Sequence, residues 1–227
     1  MDFKDQLKQL SDKIEKLKDQ IATEEATKTS LIMPFIQALG YDVFNPTEVN
    51  PEFTADIGIK KGEKVDYAIM KDNHPVILIE CKHWSENLDL HNSHLLRYFN
   101  VTKAKFSILT NGINYRFFTD LEKPNIMDEK PFLDLAITDL RDNQIEELKK
   151  FHKSYFDVKN IVNTASELKY TNEIKNILKT ESNQPSEDFV KLFVSRVYVG
   201  RATTLIMSKF TELVKRSIQQ YLSDIVT

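Results

Sequence analysis

The sequence predicts an α/β protein in which a mixed sheet is flanked by helices and followed by a helical C-terminal extension. Three observations lead there. Between Thr54 and Phe118, short runs of β-branched and aromatic residues alternate with turn residues. A stretch with helical spacing, Leu88 to Phe99, interrupts those runs, which requires a crossover and hence a parallel pair within the sheet. From Leu133 onward strand signals fade, and long apolar stripes at helical spacing take over. The expected division is residues 1–140 for the α/β domain with an N-terminal amphipathic helix, and 141–227 for the extension.

Taken in order, Phe3, Leu7, Leu10, Ile14, Leu17 and Ile21 recur at spacings of four and three, a heptad seam on an otherwise polar helix. That seam suits either a helix packed on its own domain or a short intermolecular coiled coil. A second helix is expected from about Glu24 to Leu39, closed by Gly40 in a left-handed C-cap and bent or broken at Pro34. After a strand-poor stretch, Thr54–Ile59 reads as a strand, Lys60–Glu63 as a turn, Lys64–Ile69 as a second strand and Val76–Cys81 as a third. These three form an antiparallel meander. Phe106–Thr110 is a strand that stops at Asn111-Gly112, and Tyr115–Phe118 is its return. Helices are expected over 141–151, 160–178 and 186–225, with Ser186-Glu187-Asp188 as a cap and Glu181–Pro185 as a linker.

Composition narrows the function. A hydrophobic content of 41% with 14 Phe supports a substantial core, and the net charge of −3 leaves no global basic field, so nucleic-acid affinity would need a local patch. The lone Cys81 rules out a disulfide framework and a Cys-based zinc site. The spacing of His83, His91 and His94 matches no common zinc site either. The N-terminus lacks a signal layout and no apolar run approaches membrane-spanning length, so a soluble cytoplasmic protein with no membrane association is expected. There is no G-x-x-x-x-G-K-[ST], so no ATP site is expected in this chain.

The most informative segment is Glu80-Cys81-Lys82, which ends the apolar run Val76-Ile77-Leu78-Ile79. Side chains alternate along a strand, so Glu80 and Lys82 share one face while Ile77, Ile79 and Cys81 share the other. Charges at the end of a strand otherwise fit for burial are costly unless they have a task. If the second and third strands fold about Asn73, Asp66 falls opposite Glu80, and two carboxylates and a lysine converge. That grouping suits a divalent metal that activates water against a phosphodiester. Trp84 is either a core aromatic or a lid over this patch. Lys103, Lys105 and Arg116, near the Asn111-Gly112 turn, are phosphate contacts or simply a solvated edge.

These residues resemble the PD-(D/E)xK nuclease superfamily, and more closely the N-terminal domain of type I restriction endonuclease R subunits. The resemblance runs from about Glu24 to Leu121. It rests on Glu24-Glu25-Ala26-Thr27-Lys28, Met33-Pro34-Phe35, Leu39-Gly40-Tyr41, Asp66, Glu80-x-Lys82, Leu95-Leu96-Arg97-Tyr98-Phe99 and Leu109-Thr110-Asn111-Gly112. Where the family has Q-x-x-x-Y, this chain has His94 and Tyr98.

The resemblance implies a restriction-endonuclease-like fold and a Mg²⁺-dependent DNA endonuclease, or the cleavage module of a type I-like system, with Mn²⁺ able to substitute. It makes Asp66, Glu80 and Lys82 the catalytic set. It adds a further acidic metal ligand at Glu24 or Glu25, which the sequence alone leaves open. His94 and Tyr98 would contact DNA or position the lysine. Lys82 would orient or deprotonate the attacking water, or offset charge on the phosphate. The implied partners are DNA and restriction–modification subunits on other chains, and a homodimer is expected, with the helical tail as the association surface. The alternative is the same fold used as a nucleic-acid-binding or assembly module without cleavage.

Overall fold

The computed structural model describes residues 2–54, 64–90 and 92–226. They form a six-stranded sheet in sequence order: β1 (Val49–Phe53), β2 (Val65–Lys71), β3 (His74–Cys81), β4 (Phe106–Thr110), β5 (Asn114–Phe118) and β6 (Leu133–Ala136). All neighbours are antiparallel except β3 and β4, which are parallel and joined through helix α4 (Asn92–Val101). The mixed sheet expected from the interrupting helix is therefore present. Among the described residues no helix is long and apolar enough to cross a membrane.

Both faces of the sheet are covered. On one, Ile77, Ile79, Cys81, Ile108 and Phe117 pack against Leu7, Leu10 and Ile14 of α1 (Phe3–Leu17), and against Leu31, Phe35, Leu148, Phe151, Ile161 and Ala165. On the other, Ala68, Leu78 and Leu109 pack against Leu95, Tyr98 and Phe99 of α4. The heptad seam of α1 is thus buried in its own unit, which excludes the coiled-coil alternative: those side chains are already covered.

The segment after α1 is broken where Pro34 predicted. Helix α2 (Glu24–Thr27) runs into a π-helical turn, Lys28–Ile32, and α3 (Met33–Ala38) restarts with Pro34 in its first turn. A proline there removes one helical hydrogen bond and crowds the preceding turn, and the wider π turn accommodates both. Gly40 closes α3 at φ 83°, as expected.

Two strands differ from expectation. The first is Val49–Phe53, within the stretch read as strand-poor; Pro51 and a left-handed Glu52 (φ 49°) disguise it, and both are tolerated because β1 is a sheet edge. Residues 55–63, which carry most of the expected Thr54–Ile59 strand and the Lys60–Glu63 turn, lie outside the described residues, as does His91. Strand β6 was not expected at all, although Leu133 and Leu135 point inward and Asp134 outward.

The chain divides into two compact units, 1–169 and 170–227, not at 140/141. Helix α5 (Asp142–Lys149) and the start of α6 (Val158–Asn183) stay with the first unit because Leu148, Phe151, Ile161 and Ala165 are part of its core. In the second unit, α7 (Glu187–Val197) begins at Ser186, whose hydroxyl accepts from Phe189 N, and α8 (Thr204–Val226) follows. The single helix expected over 186–225 is interrupted between Val197 and Thr204, around Gly200. Phe193 and Val197 line a groove with Phe210, Leu213, Val214 and Ile218, while Leu205, Leu222 and Ile225 stand exposed.

His152 meets Phe3 edge-on, with ring centroids 5.8 Å apart, and lies where a side chain on Gly40 would fall. Burial holds its imidazole below the ordinary histidine range. A group whose folded pKa is depressed stabilises the fold above its unfolded pKa and loses that contribution as pH falls. Melting temperature should therefore drop more steeply between pH 7.5 and 5.5 in wild type than in His152→Gln. Parallel pH curves for the two proteins would exclude this role.

Candidate active site

The hairpin joining β2 and β3 sets the site. Asp72 and Asn73 both adopt positive φ (51° and 62°), giving a two-residue turn centred between them, not on Asn73. That turn pairs Lys71 with His74 and Met70 with Pro75. A bulge then shifts the register: Ile69 pairs with Ile77, Ala68 with Leu78 and Tyr67 with Ile79, so Val76 is the extra residue. Continuing by one residue along each strand sets Asp66 against Glu80, the expected arrangement reached by a different route. Asp66 Oδ2 accepts a 2.7 Å hydrogen bond from the backbone N–H of Cys81.

Glu80 is buried at the end of β3, its side chain 6% exposed. Its Oε1 accepts from Lys82 Nζ at 2.9 Å and lies 3.1 Å from His94 Nδ1. With the carboxylate oxygen as acceptor, Nδ1 is the donor of this contact. Oε2 of Glu80 is buried with no partner among the described residues. His94 meets Tyr98 edge-on at 5.2 Å, so the pair expected on one helix face is formed and lies against the carboxylate. Burial lowers the Lys82 pKa, but the charge and hydrogen bond of Glu80 outweigh it, with Glu24 and Asp66 adding to the same direction. Lys82 is therefore a cation at neutral pH.

Lys82 is held by its surroundings. Its N–H donates to Thr110 O at 2.8 Å, extending the parallel pairing past the end of β3. The next residues are tied to the helical layer: Trp84 Nε1 donates to Ile21 O at 2.9 Å and Trp84 N to Thr27 Oγ1 at 3.3 Å. The Asn111 amide donates to the carbonyls of Trp84 and Glu86, both at 3.0 Å. Trp84 is thus a half-buried structural aromatic packed on the core and not a lid. Cys81 is fully buried, and burial pushes its thiol well up, which removes it as a nucleophile.

The two candidates for the third acidic position differ in exposure. Glu25 is 79% exposed and Glu24 37%, and only Glu24 is among the charges that act on Lys82.

Lys28 is the member that sequence reasoning missed. Its ammonium contacts Asp66 Oδ1, Glu25 Oε1 at 2.7 Å and Glu24 Oε1 at 3.6 Å. Burial lowers its pKa, yet hydrogen bonds to Asp66 and Glu25 outweigh that and the net shift is upward. In sequence it reads as a helix-surface lysine with ordinary partners three and four residues back. Among the described residues no three His, Cys, Asp or Glu side chains are grouped so as to hold a metal ion; ammoniums occupy the space between the carboxylates. Two of the three basic residues near the Asn111-Gly112 turn are in ion pairs: Lys105 bonds Asp120 at 3.1 Å, and Arg116 lies between Asp89 at 2.7 Å and Asp134 at 3.2 Å.

Comparison with known families adds one finding. Residues 23–131 match the family of the type I restriction enzyme R protein N terminus (HSDR_N). The matched segment is just under half of the chain and contains Glu24, Lys28, Asp66, Glu80, Lys82, His94, Tyr98, Asn111 and Gly112. Helix α1, strand β6 and everything C-terminal to it lie outside the match. No curated protein and no solved structure matches the chain.

Proposed function

We propose that the first unit is a Mg²⁺-dependent DNA endonuclease, acting as the cleavage module of a type I-like restriction system. The observation that carries this reading is the buried, unpartnered Glu80 Oε2, set beside Lys82 in the hairpin that faces Asp66 to Glu80. A buried carboxylate oxygen without a donor is costly, and a hard divalent ion offsets that cost. Glu80, Asp66 and Glu24 carry oxygen donors of the kind Mg²⁺ takes, although in this structure the ammoniums of Lys28 and Lys82 lie among them and the three are not gathered about one point. When bound, the ion supplies polarisation of the phosphate and a more acidic water. The charged Lys82 sits where it offsets negative charge on the phosphate, a role that fits its upward pKa shift better than proton abstraction does. His94 orients Glu80 through the Nδ1 bond. DNA and other restriction–modification subunits are the partners this reading implies.

A second reading, a nuclease-fold assembly module without cleavage, is favoured by the engagement of both Asp66 oxygens and by His94 in place of the family's glutamine. Supercoiled plasmid incubated with Mg²⁺ or Mn²⁺ separates the two. Wild type should nick it. Asp66→Asn and Glu80→Gln should lose nicking and bind Mn²⁺ at least about tenfold more weakly by calorimetry, as losing a charged ligand demands. Equal Mn²⁺ affinity in all three proteins would remove the metal site. Tight Mn²⁺ binding without nicking would establish the assembly module.

A further inference from the structure

Two carboxylates on α2 and one on β2 lie around a single ammonium, Lys28 Nζ, whose side chain is 11% exposed. Like charges this close repel unless a cation lies among them, and in this structure the cation is part of the chain. The same ammonium leaves Asp66 without a free oxygen: Oδ1 faces Lys28 and Oδ2 faces the N–H of Cys81. Independently, Glu80 Oε2 is buried and unpartnered, in a side chain 6% exposed, at the strand end that faces Asp66. One side of the cluster is therefore closed by a tethered cation while the other presents a vacant ligand atom.

We propose that Lys28 is a built-in counter-cation that must withdraw from Asp66 before a divalent ion is held, so that its tether sets the metal affinity of the site. The proposal rests on the metal-binding reading above and names the device that regulates it. Lysine suits the task because its ammonium is a point charge on a flexible four-carbon stem, free to swing without disturbing the helix. Its position favours movement as well: it opens the π-helical turn, and one of its partners, Glu25, is 79% exposed, so the ammonium can follow Glu25 outward. Glu25 is then an anchor that competes for Lys28, and not a metal ligand.

A site whose competent state is only a fraction of the population binds with its intrinsic affinity reduced by that fraction. Removing the competitor should raise affinity, and weakening the outward anchor tests the same device from the other side. The measurement is Mn²⁺ titration calorimetry on the full chain, paired with the Mn²⁺-induced rise in melting temperature. Lys28→Met should bind Mn²⁺ at least about tenfold more tightly than wild type and show the larger thermal rise. Lys28→Arg, which keeps a cation in place, should bind no more tightly than wild type.

Glu25→Gln should weaken Mn²⁺ binding in the otherwise wild-type chain, because Lys28 then loses its outward anchor and rests on Asp66, and should leave it unchanged in Lys28→Met, where there is no ammonium to anchor. A severalfold weakening by Glu25→Gln in the Lys28→Met background would make Glu25 a ligand and overturn the anchor. Equal affinity in Lys28→Met and wild type, with Asp66→Asn weaker, would overturn the counter-cation and leave the metal site standing. Absence of Mn²⁺ binding in wild type and Lys28→Met alike would overturn both. Should Lys28→Met fail to fold, Lys28→Gln and the exposed Glu25→Gln carry the comparison.

Discussion

Lys82→Met should lose DNA cleavage by at least about a hundredfold, typical of a deleted group that stabilises developing charge, while the fold and Mn²⁺ binding persist. The backbone at this position does not depend on the ammonium: the Lys82 N–H bonds Thr110 O, and the following loop is tied to Ile21, Thr27 and Asn111. Glu80 keeps His94 as a partner after the change. Metal affinity should hold or rise, because a positive charge beside the ligands has been removed. Plasmid nicking measured alongside calorimetry separates the outcomes. Unchanged nicking would end the catalytic role of Lys82, and loss of the native circular dichroism spectrum would make the lysine structural.

The largest stability effect away from the carboxylates is expected at Gly112. Its φ is 81°, a region that costs a β-carbon about 1–2 kcal/mol. A Cβ there would also lie 2.8 Å from Leu31 Cβ and 3.3 Å from Thr27 Cγ2. Leu31 is fully buried and its Cβ is fixed to the π-helical backbone, so relief requires that segment to move. Overpacking of this kind adds about 1–3 kcal/mol. Gly112→Ala should therefore lower unfolding free energy by about 2–5 kcal/mol in urea, read as a shift in midpoint at constant slope. A midpoint within error of wild type would mean that helix and turn do not meet as described.

Much of the site was legible because a strand has a period of two. Glu80 and Lys82 on one face, Ile77, Ile79 and Cys81 on the other, followed from spacing alone; the facing of Asp66 to Glu80 was expected from a turn centred on Asn73 and is reached instead through the Asp72-Asn73 turn and the extra Val76. Helix breaking at Pro34 and the left-handed Gly40 were equally local. What escaped depended on context. Strand β1 carries Pro51 and Glu52, which propensity assigns to a loop and only an edge position permits. Strand β6 is four residues long, too short for alternation to stand out. The helices after residue 140 gave no sign of which core they join, since an apolar stripe does not name its partner. Lys28 was hidden by its two nearby glutamates, which make an ordinary surface pairing on a helical wheel; the contact that matters, with Asp66, spans the fold.

The bulge opposite Ile69 and Met70 carries a consequence for how the hairpin can change. The Asp72-Asn73 turn alone would pair Asp66 with Ile79, whose neighbours face the opposite side of the sheet; the extra Val76 restores the match to Glu80. Turn and bulge act as two half-steps that together keep parity. A single insertion or deletion at this exposed tip would transmit a frame error down both strands and exchange inside for outside at their far end. Paired changes would be silent. The tip therefore cannot change length in odd steps, and the part of the hairpin farthest from the carboxylates is the part whose residue count they most depend on.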